Sequence, residues 1–303
     1  MLIDQNHKFL TSIFISLITV LILEFDNKIL IFFFNVFFIL GLLYFLENKT
    51  EIPFKKSTSK KIPKKIFITY FDKKKVPNKV WKNLNFFGKG YKILFFSDED
   101  CINYLDRNFG KKFSKKFQDI KLGAHKADFF RYCILLNEGG IYLDIDLKPR
   151  EKFNKIFDHK SDKIFYTVIS NTKLQLKNHK ISKFKKLFRR LGDKSEKTIF
   201  QAMIATYPNN PIFKKLIKDF WNINNLHLKH DIITIKFFYR LKDLVSNTLE
   251  EGSFITKNND TVILFSERNK KLKKSEKPDR TGSYPKIFDK NRVLFHFRYS
   301  GYP

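Results

Sequence analysis

Residues 123–150 read GAHKADFFRYCILLNEGGIYLDIDLKPR. From Ala124 to Asn137 the composition is helical, and Ala127, Phe129, Phe130, Cys133, Ile134, Leu135 and Leu136 spread around most of the helix, so it should be buried. Asp128 and Arg131 interrupt this surface three residues apart, which puts them on one face. A buried charge is costly unless it is paired or given a ligand. The pair therefore reads either as an ion pair tying the helix to its neighbours or as part of a binding site, and the two readings are compatible. Gly139-Gly140 stops the helix and lets the chain turn back. Ile141-Tyr142-Leu143 is then a core strand. Continued alternation would point Tyr142, Asp144 and Asp146 one way and Ile141, Leu143 and Ile145 the other. Two carboxylates that emerge together are relieved most directly by a divalent cation, and hard oxygen ligands suit magnesium or manganese, which also bridge substrate phosphates.

Upstream, Lys65–Tyr70 is a β-branched and aromatic run expected to be a strand. Val76-Pro77 opens a helix through Trp81 and Leu84, and Tyr91–Phe96 is a second strand. Ser97-Asp98-Glu99-Asp100 has the capping serine and acidic first turn of a helix start. Strand, helix, strand, helix points to an α/β sheet with mostly parallel strands. Such sheets bind ligands at the carboxyl ends of their strands, where Tyr70 and Ser97-Asp98 fall. Tyr70 there could stack on a nucleobase or simply pack.

The chain has 303 residues, 43% of them hydrophobic, enough for a substantial core. Its net charge of +29, from 59 Lys+Arg against 30 Asp+Glu, favours anionic partners such as lipid head groups, phosphorylated substrates or nucleic acid. Abundant Lys, Ile, Phe and Asn also fit an AT-rich genome, in which Lys is the default surface residue. Of the two cysteines, Cys133 lies in the apolar helix, and neither it nor Cys101 belongs to a Cys-x-x-Cys pair, so zinc and redox work are not indicated. Nothing asks for a disulfide, which favours a reducing compartment.

Phe9–Leu23 and Ile29–Leu46 are apolar runs of fifteen and eighteen residues joined by Glu24–Lys28. A membrane span needs ~20 apolar residues, so residues 1–48 are expected to be an anchor of two transmembrane helices (9–23 and 29–46), or of one. Neither run is followed by a small-x-small cleavage site, against a signal peptide. Lys49, Lys55, Lys56, Lys60, Lys61, Lys64 and Lys65 follow the second run, and the positive-inside rule then faces the rest of the chain to the cytoplasm, close to anionic head groups. Residues 49–61 read as a basic linker and 62–303 as the catalytic domain.

The segment ADFFRYCILLNEGGIYLDID resembles the sugar-binding region containing a DXD motif of glycosyltransferases related to the initiating α-1,6-mannosyltransferases of yeast. It is also similar to the glucosyltransferase domain of large clostridial toxins. IPKKIFITY and YKILFFSDED look like that family's first two strands, so the resemblance runs from about Ile62 to Arg150. It implies a GT-A fold, a nucleotide-sugar donor, a divalent metal (usually manganese) and retention of anomeric configuration. Position by position, it implies that Asp128 and Arg131 hold the donor sugar. Asp144 would face ribose and sugar, Asp146 would ligate the metal on the diphosphate, and Tyr142 would stand beside the donor. No second carboxylate stands out as a nucleophile, and retention through a nucleophile or by a same-face route both stay open.

Beyond Arg150, Lys163–Ser170 reads as a strand, and basic Lys173–Arg190 as a solvated helix or an acceptor-side insertion. Thr198–Thr206 resembles the segment where related enzymes often carry an Asn near the donor; Gln201 stands there. Pro211 begins a helix through Trp221, and Phe237–Leu249 is expected to be another. His227 and His230 share a spacing that could hold a metal, but no third ligand is visible, and surface or packing roles are preferred. Thr261–Phe265 and Arg292–Phe297 read as strands. His296 is a candidate metal ligand or a core histidine, with Arg298 placed to meet phosphate. The sum is a membrane-anchored, metal-dependent glycosyltransferase moving a hexose from a nucleotide diphosphate sugar to a glycan or lipid-linked acceptor. The alternatives are a non-catalytic nucleotide-sugar or membrane-surface binding protein, and a nucleic-acid-binding protein. The apolar runs and the absence of a nucleic-acid reader motif count against the last.

Overall fold

The computed structural model describes residues 35–40, 52–170, 197–221, 230–245, 248–270 and 284–297. The chain divides into two units, Met1–Ile52 and Pro53–Pro303. In the first, residues 35–40 are helical, with Phe37, Phe38, Ile39 and Leu40 exposed. The remainder of the expected hairpin (9–23 and 29–46) lies outside the described residues. Among those described, no helix is long and apolar enough to cross a membrane. Lys173–Arg190, His227 and Arg298 also lie outside them.

The second unit opens with residues that hydrogen-bond across it. Lys55 N–H donates to Asn137 Oδ1 at 2.8 Å, and the Asn209 amide donates to the Lys55 carbonyl at 2.9 Å. Strand β1 (Lys65–Thr69) carries Ile66, Phe67 and Ile68, all buried because both faces of the sheet are covered. Helix α1 (Asn78–Phe87) packs Val80 and Leu84 inward and leads to β2 (Lys92–Phe96), parallel to β1. Helix α2 (Asp98–Phe109) starts in a complete capping box, Ser97 accepting from the Asp100 N–H while Asp100 accepts from that of Ser97. Helix α3 (Lys111–Asp119) follows, a short element with no counterpart in the sequence-based expectation.

Helix α4 (Gly123–Glu138) is the central layer and is buried from Asp128 to Asn137. It ends on Gly139, whose N–H donates to the Leu135 carbonyl at 3.1 Å. Gly139 (φ +60°) and Gly140 (φ +107°) both take left-handed backbone. A side chain at Gly139 would stand 2.5 Å from the Pro208 nitrogen, and one at Gly140 would stand 2.9 Å from the Lys65 carbonyl. The double glycine thus lets β3 (Gly140–Leu143) return directly beside β1.

The strands β4 (Leu147–Pro149), β5 (Ile164–Ser170), β6 (Thr198–Thr206), β7 (Gly252–Ile255), β8 (Thr261–Lys270), β9 (Tyr284–Asp289) and β10 (Arg292–Phe297) complete one sheet. Its order is β2-β1-β3-β6-β5-β8-β9-β10-β4, with β7 on β8. Helices α5 (Phe153–Ile156), α6 (Pro211–Trp221) and α7 (His230–Leu244) cover it; α7 starts and ends earlier than the Phe237–Leu249 expected. The sheet is mixed rather than mostly parallel. Only β1/β2, β1/β3 and β5/β8 are parallel among the described pairs. β9 and β10 are joined by a tight turn at Lys290-Asn291, which forces antiparallel pairing, and β8 pairs antiparallel with β9 as well.

The order has a geometric consequence. β3 lies third and β4 last, yet only three residues separate them. Four chain steps span at most ~14 Å, so the far edge must curl back towards the centre. The junction is the Asp144–Leu147 turn, closed by Leu147 N–H on the Asp144 carbonyl at 3.1 Å.

Candidate functional site

The side chains at that junction are organised by Arg131. Helix α4 carries it at 3% exposure into the sheet. Its Nη1 donates to the Gln201 carbonyl on β6, its Nη2 to Asp144 Oδ1 at 3.1 Å, and its Nε to the Ala127 carbonyl at 3.3 Å. Nη2 also lies 3.4 Å from Asp128 Oδ1, and the guanidinium stacks 4.5 Å from the Tyr142 ring centre. The ion pair expected between Asp128 and Arg131 is therefore present, but as one arm of a three-way junction that includes Asp144. Burial works against the Arg131 charge; Asp144, then Tyr142 and Asp128, outweigh it and raise the guanidinium above its ordinary range. Arg131 stays charged at any working pH. The Tyr142 hydroxyl is hydrogen-bonded to Thr69 Oγ1 at 2.8 Å, and burial pushes it well above the usual phenol range.

Asp144 and Asp146 line the same cavity, but strand geometry reaches only the first of them. The strand ends at Leu143, and the turn carries Ile145 into the core while Asp144 and Asp146 stay partly exposed. Asp144 still pairs with β6, its N–H donating to the Ala202 carbonyl at 2.8 Å, one rung beyond Leu143; the chain then folds over at the turn closed by Leu147 N–H, so period-2 geometry does not extend to Asp146. The turn produces the same outcome, two carboxylates on one opening.

The cavity measures about 860 Å³ and is bounded by Tyr70, Asp128, Arg131, Tyr142, Asp144, Asp146 and Gln201 among others. Seven site residues named from the sequence thus meet in one place. His296 does not line it. It sits on β10 opposite Lys148, next along the ladder from the Phe297–Leu147 pair that follows Asp146. Among the described residues no group of three or more His, Cys, Asp or Glu comes together as a metal cluster. His230 begins α7.

The cavity's outer end lies at the carboxyl ends of β1 and β2. Tyr70 N–H donates to the Phe96 carbonyl at 3.1 Å, and its ring lies 4.6 Å from that of exposed Phe71. Asp98 accepts from Lys126 Nζ at 2.6 Å, and Lys121 stands on the same rim. Sequence reasoning missed two inner residues. His125 is buried with Nδ1 3.5 Å from Asp128 Oδ2, a contact its i,i+3 spacing could have suggested. Tyr132 donates its hydroxyl to Gln201 Oε1 across 69 residues of sequence, which no local signal reveals.

Residues 48–162 match the family model described as "Glycosyltransferase sugar-binding region containing DXD motif", so the resemblance read from the residues is borne out and extends a little beyond Ile62–Arg150. An uncharacterised glycosyltransferase of Acanthamoeba polyphaga mimivirus is 30% identical over 138 residues, 40% of this chain and 55% of that protein. The initiation-specific alpha-1,6-mannosyltransferase of Candida albicans is 30% identical over 122 residues, 36% of this chain and 31% of that protein. The chain thus spans about half the length of the first relative and less of the second. Among solved structures, one titled PaToxG Glycosyltransferase aligns over 61% of this chain and 70% of its own, with a TM-score of 0.39 and 13% identity.

Proposed function

We propose that this chain is a metal-dependent glycosyltransferase with a GT-A-like arrangement, transferring a hexose from a nucleoside diphosphate sugar to a glycan or lipid-linked acceptor with retention of configuration. The reading is carried by one observation: Arg131 bridges Asp128, Asp144 and Gln201 on the wall of a cavity that Asp146 also lines. At about 860 Å³ the cavity lies within the range of small-molecule and cofactor sites.

The donor set fits a hard divalent cation, manganese or magnesium. Asp144 and Asp146 offer carboxylate oxygens on one tight turn, with Asp144 Oδ1 held by Arg131. Asp146 would be the direct ligand, Asp144 a companion and His296 a further candidate, with substrate oxygens and water completing the shell. When bound, such an ion supplies charge neutralisation to a leaving diphosphate. The chain's own groups do the rest. Arg131 holds Asp144 in place, and with Asp128 it offers the sugar hydroxyls one donor and one acceptor surface. Tyr142 backs the guanidinium. Tyr70, at the strand ends, suits the nucleoside. No nucleophile is assigned.

The amino-terminal apolar runs and the seven lysines after them support an anchored enzyme whose site faces the cytoplasm, near a bilayer. The test of the activity is a panel of UDP- and GDP-hexoses, scored for manganese-dependent nucleotide release by the full chain. Turnover of at least one donor, lost on chelation, is the expected result. Binding without turnover would favour the non-catalytic alternative, and neither binding nor turnover would overturn the reading.

A further inference from the structure

Gln201 is 3% exposed yet lines the cavity. Its backbone carbonyl accepts from Arg131 and its Oε1 from Tyr132. The other half of the amide, Nε2, is buried with no hydrogen-bond partner among the described residues. A buried donor left unmade costs free energy, so on a cavity wall it marks a place for a ligand acceptor. The Tyr132 ring is fully buried, with Phe213 at 6.2 Å and Phe237 edge-on at 5.9 Å. Its hydroxyl is therefore held at one point, and donation to Oε1 fixes the amide so that Nε2 is the half left without a partner among the described residues.

The surroundings define what the donor meets. Asp128 and Asp144 set two carboxylates against the one guanidinium of Arg131, and Asp128 is completely buried. This end of the cavity repels a diphosphate. It suits an uncharged polyol, whose hydroxyls donate to the carboxylates while their oxygens accept from Arg131 and Gln201.

We infer that Tyr132 is a positioning residue that turns Gln201 Nε2 towards one hydroxyl oxygen of the transferred sugar, so that the pair selects among hexoses by the configuration at that hydroxyl. The inference rests on the donor-site reading above. It assigns to Tyr132, which is fully buried and does not itself line the cavity, a role in the sugar subsite without direct contact.

The test is binding to the full chain in manganese, by calorimetry, of UDP and GDP and of UDP-glucose, UDP-galactose and GDP-mannose. Tyr132→Phe and Gln201→Met are each expected to weaken the preferred nucleotide sugar about tenfold, the worth of one good hydrogen bond, and to narrow the preference between epimeric hexoses. Binding of the parent nucleoside diphosphate should stay within about twofold, a split that a merely structural role would not produce. In the Gln201→Met background, Tyr132→Phe should have no further effect on sugar binding, as expected of residues acting in series. Gln201→Met keeps the side-chain volume, so the comparison of sugar with nucleotide stands even where Tyr132→Phe is poorly folded. Equal weakening of sugared and sugarless ligands, or an unchanged epimer preference, overturns this inference and leaves the proposed function intact. A wild-type chain that binds none of the five ligands overturns both.

Discussion

Arg131 and Asp146 show how differently two charged residues of one site are built. The Arg131 guanidinium is buried and its contacts reach three elements, so its loss takes a cationic partner from the Asp128 carboxylate, whose side chain is 1% exposed. Arg131→Met should destabilise the fold by roughly 3–5 kcal/mol, the usual cost of breaking a buried ion pair by removing one partner, measured by denaturant unfolding. Asp146 sits partly exposed on a turn. Asp146→Ala should leave the unfolding midpoint within a few degrees of wild type while lowering manganese-dependent donor turnover by ~10²-fold or more, as loss of transition-state charge stabilisation does. Unchanged turnover in that variant would remove Asp146 from the site.

At the scale of elements, the α4–β3 connection and the segment after α5 each make a checkable statement. Gly139 combines positive φ with a side-chain position already occupied by Pro208. Gly139→Ala should therefore cost about 1–3 kcal/mol, from backbone strain and overpacking together, and should loosen the return of β3. His159 pins the entry to β1. Its Nδ1 donates to the Ile62 carbonyl at 2.7 Å, and its Nε2 is hydrogen-bonded to the Tyr91 hydroxyl at 2.6 Å, accepting from it when the ring is neutral. Burial lowers its pKa below 6.5; the Ile62 hydrogen bond opposes this, and Lys64 adds to it. The folded-state pKa is thus depressed below the unfolded one. The stability His159 contributes is present above about pH 6.5 and is lost as pH falls through the folded-state pKa. Melting temperature should drop over that window in the wild type and show a smaller acid-side drop in His159→Gln; identical profiles would remove His159 from this role.

The whole molecule is governed by the curl of its sheet. β4 pairs with β10 at one end of the strand order but is tied to β3 near the other, and the tie is the acidic turn itself. The cavity opens where the sheet returns on itself, so α4, β3, β6 and the ends of β1 and β2 all reach one opening. The proposed anchor is testable at this scale. The full chain should stay with membranes through an alkaline carbonate wash, and protease added to sealed vesicles should reach the catalytic part from the cytoplasmic face only. Release by carbonate, or protection on that face, would overturn the anchor or its orientation.

Local chemistry was readable in one dimension. Residues 123–150 show a buried helix interrupted by Asp128 and Arg131, a glycine pair where only left-handed backbone fits, and a strand ending in acid, because each depends on neighbours within one turn or one pleat. The Ser97 cap and strands β1 and β2 are local in the same sense. What depends on distant pairing was not readable. The antiparallel returns and the curl follow from which strands meet. Asp144 is held against Ala202 as the last rung of the β3/β6 pairing before the chain turns, and the Tyr132–Gln201 contact joins residues 69 apart. Periodicity along a chain reports which face of an element is apolar; it carries no record of which other element that face will find. The carboxylates were therefore legible as a pair, but Arg131 met Asp144, and Tyr132 met Gln201, only when the sheet closed.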